Sequence, residues 1–246
     1  MSNHGNRKRS RILLSLAVAF LAPFATGCKE NATSGVTANK QKHLILTAGL
    51  HSEDSGKAID SYAKGVTLLK KAGVNRDELK KLLRDDGAQA THDSLELFRE
   101  AAAHVLDGAS KRDPGIPRMA WLQTEITVGT ATFEVNDFLL PSTAALVLAR
   151  HELQKNDYDR GKRTAQAVFA MGTHFATSDD QLLAGIGLAC KQTAIRVLRE
   201  VALTTGDSAG VKEYDGIRVE LDDEFAALKD RKDEPGLIDI VETVLR

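Results

Sequence analysis

From about residue 54 onward, apolar side chains recur at intervals of three and four, the period of a helix that buries one face, and breakers separate the stripes. Ala58, Ile59, Tyr62, Ala63, Val66 and Leu69 make the first stripe, which Gly73 closes. Asn75 with Glu78 three residues later has the capping-box pattern, in which side chain and backbone amide bond reciprocally at a helix start; Leu79, Leu82 and Leu83 follow on one face. After a possible break at Gly87, Leu95, Phe98, Ala101, Ala102 and Val105 continue the pattern to Gly108, and an antiparallel pair is expected here. Pro141 marks another start, leading into Ala145, Leu148, Ala149 and Leu153. Beyond a turn, KNDYDRG, come Ala165, Val168, Phe169, Gly172 and Phe175. Ser178 with Gln181 is a second capping-box pattern, opening a stripe of Leu182, Leu183, Ile186, Ala189, Cys190, Val197 and Val201. Gly185 and Gly187 inside that stripe imply a neighbouring helix at close range. After Gly206 the stripe Val211, Tyr214, Leu221, Phe225 and Leu228 follows, and Pro235 and Gly236 introduce a last short helix through Ile240, Val241 and Val244.

Residues 113 to 140 depart from this period. Pro114, Gly115 and Pro117 punctuate the stretch, and WLQTEITVGTATFEVNDF is rich in β-branched and aromatic residues with partial alternation. It predicts a short hairpin or an extended loop around Trp121, the one tryptophan of the chain. The expected fold is therefore all-α, with seven to nine helices in stacked antiparallel hairpins and a short extended insert near residues 114 to 140.

The first 28 residues have their own pattern. A basic stretch, MSNHGNRKRSR, precedes an apolar run from Ile12 to Ala22, and a small-residue end, ATGC, follows Pro23 and Phe24. The run is too short to span a bilayer, which takes about twenty residues, so it predicts a secretory leader. Ala25, Thr26 and Gly27 before Cys28 resemble the lipobox of bacterial lipoproteins, with Ala25 where that family prefers leucine. The resemblance covers these 28 residues and implies cleavage between Gly27 and Cys28 and lipid on the Cys28 thiol. More than one acyl chain would then hold the protein stably at a membrane. Lys29, which is not aspartate, implies the periplasmic face of the outer membrane in a host with two membranes. The division expected is a leader over 1–27, a polar tether over 28–42 and one helical domain over 43–246.

Loss of the leader changes the charge. Four of the 33 basic residues, Arg7, Lys8, Arg9 and Arg11, lie in it, and the first acid is Glu30, so 29 basic side chains are left against 34 acidic ones, a net charge of −5. With aromatics at only 5% and no basic stripe, nucleic acid is not an expected partner.

The helix–turn–helix around KNDYDRG resembles a tetratricopeptide-type hairpin, although Gly161 stands where that repeat has alanine and no clean copy recurs. Residues 88 to 203 are also similar to a group of uncharacterised helical bacterial proteins, which brings no activity with it. The tetratricopeptide resemblance implies a grooved surface that holds a protein or peptide partner at the cell envelope. The alternatives are an envelope enzyme with a site near Trp121 and a structural spacer.

No pattern specifies catalysis, a cofactor or a metal. HELQK at residues 151–155 begins like the zinc-binding HExxH, but Lys155 occupies the second ligand position, so His151 and Glu152 are expected on a helix surface. His43, His51, His92, His104 and His174 fall singly. Glu220, Asp222, Asp223 and Glu224 lack the glycine of a calcium loop and predict a solvated helix face; Asp179 and Asp180 suit a first helical turn. Cys190, within GIGLACKQTAIRVL, is expected as core filler, which excludes a disulfide framework if Cys28 is acylated. No GxSxG elbow or phosphate-cradling glycine loop occurs.

Overall fold

A computed structural model describes residue 50 and residues 56–85, 89–117 and 124–229. Cys28 with its leader and tether, His43, His51, Gly87, Trp121 and the helix expected after Gly236 lie outside the described residues. Within them the fold is all-α, with one small hairpin.

Seven helices are described: α1 (Ala58–Lys71), α2 (Arg76–Arg84), α3 (His92–Ala109), α4 (Leu139–Gln154), α5 (Tyr158–Ala176), α6 (Gln181–Thr205) and α7 (Ser208–Lys229). Between α3 and α4 the insert forms the two-stranded antiparallel hairpin β1 (Glu125–Val128) and β2 (Ala131–Glu134), with Gly129 at positive φ in its turn. The extended insert is shorter than expected, because its last residues are helical. Val135–Phe138 make a 3-10 turn running into α4, started by reciprocal capping between Glu134 and Asp137. Lys70 at the end of α1 holds that start through Asp137, 2.8 Å away.

Long-range partners fix the helix directions. Ser61 meets Asp107 and Gly65 meets Ala101, so α1 and α3 run antiparallel. The free amides that begin α1 go to the insert: Ala58 N–H donates to Asp113 O at 2.9 Å and Ile59 N–H to Pro114 O at 3.1 Å. The α4–α5 turn places Asn156 at φ 61° and caps α5 with Asp157, which brings Gly161 against the Ala149 carbonyl. Gly206 ends α6 at φ 72°, and α7 returns along it with Arg199 to Asp215 at 2.7 Å and Gln192 to Asp222 at 3.0 Å.

Helices α5 and α6 cross almost backbone to backbone. A Cβ on Gly172 would stand 2.6 Å from the Gly187 carbonyl oxygen, and one on Gly187 would stand 2.5 Å from that of Gly172. Close approach was expected of Gly187; its partner glycine is Gly172. Around the crossing, Tyr62, Phe138, Phe169, Phe175, Leu183 and Ile186 are wholly buried. An aromatic chain runs from Phe133 on the hairpin through Phe138 and Phe175 to Tyr62, with centroid spacings of 5.9, 5.4 and 5.9 Å.

Helix α2 packs on α4, tied by Arg150 to the Leu83 carbonyl. Two local expectations are corrected. Asn75 caps α2 through the amide of Asp77. Helix α6 is capped by Asp180, which accepts from Leu183 N–H at 2.9 Å, while Ser178 accepts from Asp180 N–H and shapes the preceding turn.

Gly187→Ala should lower unfolding free energy by about 1–3 kcal/mol, because the new methyl meets backbone that cannot rotate away. Gly216→Ala, where a Cβ meets nothing, should raise it by about 0.5–1 kcal/mol. Denaturant melts of both variants check this, and equal changes would contradict the crossing.

Candidate functional site

A groove of about 520 Å³ lies between α1, α3 and the hairpin. Ala63, Leu68, Val128 and Phe133 supply apolar surface. Asp60, Lys64, Lys71 and His104 supply polar groups of both signs, and the turn residues Gly129 and Thr130 form its lip. Its floor is fixed, since Phe133 and Ala63 are buried and Phe133 stacks on Phe138. Its lip is exposed hairpin turn. The insert thus lines the groove, although Trp121 lies outside the described residues. A mostly apolar cleft with a few polar groups suits a peptide or small amphipathic molecule better than it suits proton transfer.

The most reactive-looking constellation lies elsewhere. Ser61 is fully buried and donates to Asp107 Oδ2 at 2.5 Å, while Lys111 Nζ donates to Ser61 Oγ at 2.8 Å and to Asp107 at 3.0 Å. Serine, lysine and carboxylate recur together in hydrolases. Here the serine proton goes to the carboxylate, the ammonium keeps its own, and no substrate reaches Oγ. Burial opposes the charge on Asp107, but the bonds from Ser61 and Lys111 outweigh it and hold the carboxyl below its ordinary value. This is an electrostatic clasp between α1 and α3, and sequence reasoning missed it because Ser61 and Asp107 are 46 residues apart.

Other candidates resolve one by one. Cys190 is buried, and burial pushes its thiol up to about 11 despite a hydrogen bond with Ser142 and the charge of Arg76. It keeps its proton and serves as core. His174 is buried and hydrogen-bonded to Tyr62 Oη at 2.9 Å, whereas His92 is exposed on α3. Among the described residues no three or more His, Cys, Asp and Glu side chains are grouped to hold a metal ion. In the acidic run Asp222 and Asp223 are exposed as expected, but Glu224 pairs with the buried Lys191 at 3.4 Å, so one edge of that face binds α6. Asp179 stays in the turn and Asp180 does the capping.

The expectation for His151 and Glu152 is wrong in part. Glu152 is only 5% exposed, with Oε2 buried and unpartnered and Oε1 3.5 Å from Arg160. Burial raises its pKa to about 7, more than Arg160 and Thr164 offset. Both ring nitrogens of His151 are buried without a hydrogen-bond partner; burial, then the charges of Lys155 and Arg99, lower its pKa. The cation that replaces a second zinc ligand therefore acts directly on the first histidine.

Glu152 sets a pH dependence. Its folded pKa is above its ordinary value, so the contribution to stability is complete below about 4.5 and is lost as pH rises through about 7. Relative to wild type, Glu152→Gln should gain about 1–3 kcal/mol between pH 5 and pH 8. Parallel unfolding curves across that range would show that Glu152 is solvated.

Among the described residues no helix is long and apolar enough to cross a membrane. Comparison with known protein families, with curated proteins and with solved structures finds no match to this chain.

Proposed function

We propose that the protein is a membrane-tethered binding module, which takes an extended or amphipathic protein segment into the groove between α1 and the β1–β2 hairpin. The groove itself is the observation that carries this reading: apolar lining, rim charges of both signs, and an exposed hairpin lip. Chemistry at the groove has less support. Among the described lining residues His104 is the one histidine and Asp60 the one carboxylate, and neither is joined to a nucleophile there. A pure spacer would need no such cleft.

The tether is proposed from residues 12 to 28. An apolar run followed by ATGC suits export and lipid attachment at Cys28, with the polar segment over 29–42 as a leash that leaves the groove free to meet a partner beside the membrane. The partner would be an envelope protein, and the acidic mature surface disfavours nucleic acid.

A photo-crosslinking residue at Thr130, on the lip, should give a discrete adduct in intact cells, while one at Glu213 on the exposed face of α7 should not. In the same cells labelled palmitate should enter the wild type and not Cys28→Ser. Adducts of equal yield at both positions would remove the groove reading, and equal label in both proteins would remove the anchor.

A further inference from the structure

At the pole of the molecule where α5 ends, α6 begins and the described part of α7 stops, the surface carries a cleft of about 330 Å³. Its lining is mainly apolar: Ala176 from α5, Ala184 and Leu188 from α6, and Ala227 and Leu228 from α7. Ala227 is exposed and Ala176 and Ala184 are half-buried, and side chains this small leave the space between the three helices unfilled. Two polar residues complete the described lining, and both have partners inside the fold. Ser178 Oγ accepts from Asp180 N–H at 3.2 Å, and the Glu224 carboxylate accepts from Lys191 Nζ at 3.4 Å. The one charge among the described lining residues is therefore paired, and what the cleft gains most from is contact with apolar side chains. It shares no residue with the groove.

The chain that can fill it begins one residue after Leu228 and Lys229, in the sequence DRKDEPGLIDIVETVLR. Wound as a helix, Leu237, Ile238, Ile240, Val241, Val244 and Leu245 fall within one sector of about 160°, and Asp239, Glu242, Thr243 and Arg246 fall within an opposite sector of about 100°. Asp239 stands in the first turn and Arg246 in the last, each with the sign that the helix dipole favours there. A helix of ten residues is marginal alone in water, so this segment needs an apolar surface on which to form.

The cleft is within its reach. Pro235 cannot continue a helix, and Pro235–Gly236 favours a reversal of the chain. Even a helical path as far as Glu234 would carry the chain only about 8 Å past Lys229, and ten helical residues return about 15 Å. A segment on so short a connection competes at an effective concentration on the order of millimolar, which a separate partner of ordinary abundance does not match. A stacked helical array also needs a last element with a polar outer face, and Asp239, Glu242 and Arg246 supply one.

We propose that residues 237–246 dock as an amphipathic helix into this cleft of the same molecule and close the α5–α6–α7 pole. Leu237, Val241 and Val244, at the centre of the apolar sector, fill the space that the alanines leave. The inference rests on neither the groove nor the lipid anchor.

Hydrogen exchange on the purified full chain reads the docking. Val241→Asp and Val244→Asp should each speed exchange of the α7 amides from Glu224 to Leu228 at least about tenfold and lower Tm by a few degrees. Thr243→Asp, which adds the same charge to the polar side, should change those rates by less than about twofold. In an otherwise unchanged chain, Ala184→Cys with Val241→Cys should be joined by a short bifunctional maleimide within one molecule, at a yield independent of protein concentration. Glu213→Cys with Val241→Cys, at the far end of α7, should not be joined. Far-ultraviolet circular dichroism confirms that the aspartate variants are folded; if they are not, the cysteine pairs decide. The proposal is overturned if Thr243→Asp acts as strongly as the valine variants, if neither valine variant alters exchange, or if the Ala184 pair gives no link. Links that join two molecules overturn it as well, since a second copy would then be the occupant.

Discussion

The contact between Gly172 and Gly187 is the constraint from which the rest of the architecture follows. With no side chain at either position, α5 and α6 approach until each carbonyl oxygen occupies the space of the other's Cβ. That approach brings α5 into the middle of the molecule, where it also touches α3 and α4 and buries eleven of its nineteen residues. Phe175, three residues beyond Gly172, then reaches both Phe138 and Tyr62. Through those rings the crossing fixes α1 and the hairpin, the two walls of the groove. Tyr62 in turn packs against Gly108, where a Cβ would stand 2.3 Å from the ring. The groove is therefore an outward consequence of packing at the centre.

Much of the helical content was legible because it rests on period and punctuation. The stripes of α1 and α3 are amphipathic and their apolar positions are buried, as are those of α6 and α7 except the half-buried Leu182 and Val211. Gly187 and Gly206 were readable for the same reason, since only close approach or a left-handed turn favours glycine inside or just past a helix. Element α4 was harder, because it is buried on most sides and its pattern has little period. That also hid Glu152: a carboxylate beside His151 near a helix end resembles surface in sequence, and only the return of α5 through Gly161 covers it. Caps were misassigned where several candidates adjoin. Ser178, Asp179 and Asp180 all suit an N-terminus, and geometry alone selects Asp180.

The candidate sites were less legible still. The Ser61–Asp107–Lys111 clasp joins residues far apart in the chain and leaves no local motif. The insert, by contrast, announced itself through β-branched residues and prolines, and it is the insert that completes the groove. The reading of a tethered module joins that groove to a leader-like segment whose chemistry is written in the first 28 residues.

Native-state hydrogen exchange on the full chain tests the central claim most directly. If the glycine crossing organises the fold, amides of α5 and of α6 around Gly187 exchange only through global unfolding and are the slowest in the molecule, with α2 and the hairpin opening at lower free energy. If α5 exchanges as fast as α2, the crossing is not the organising contact, and the groove cannot owe its shape to it.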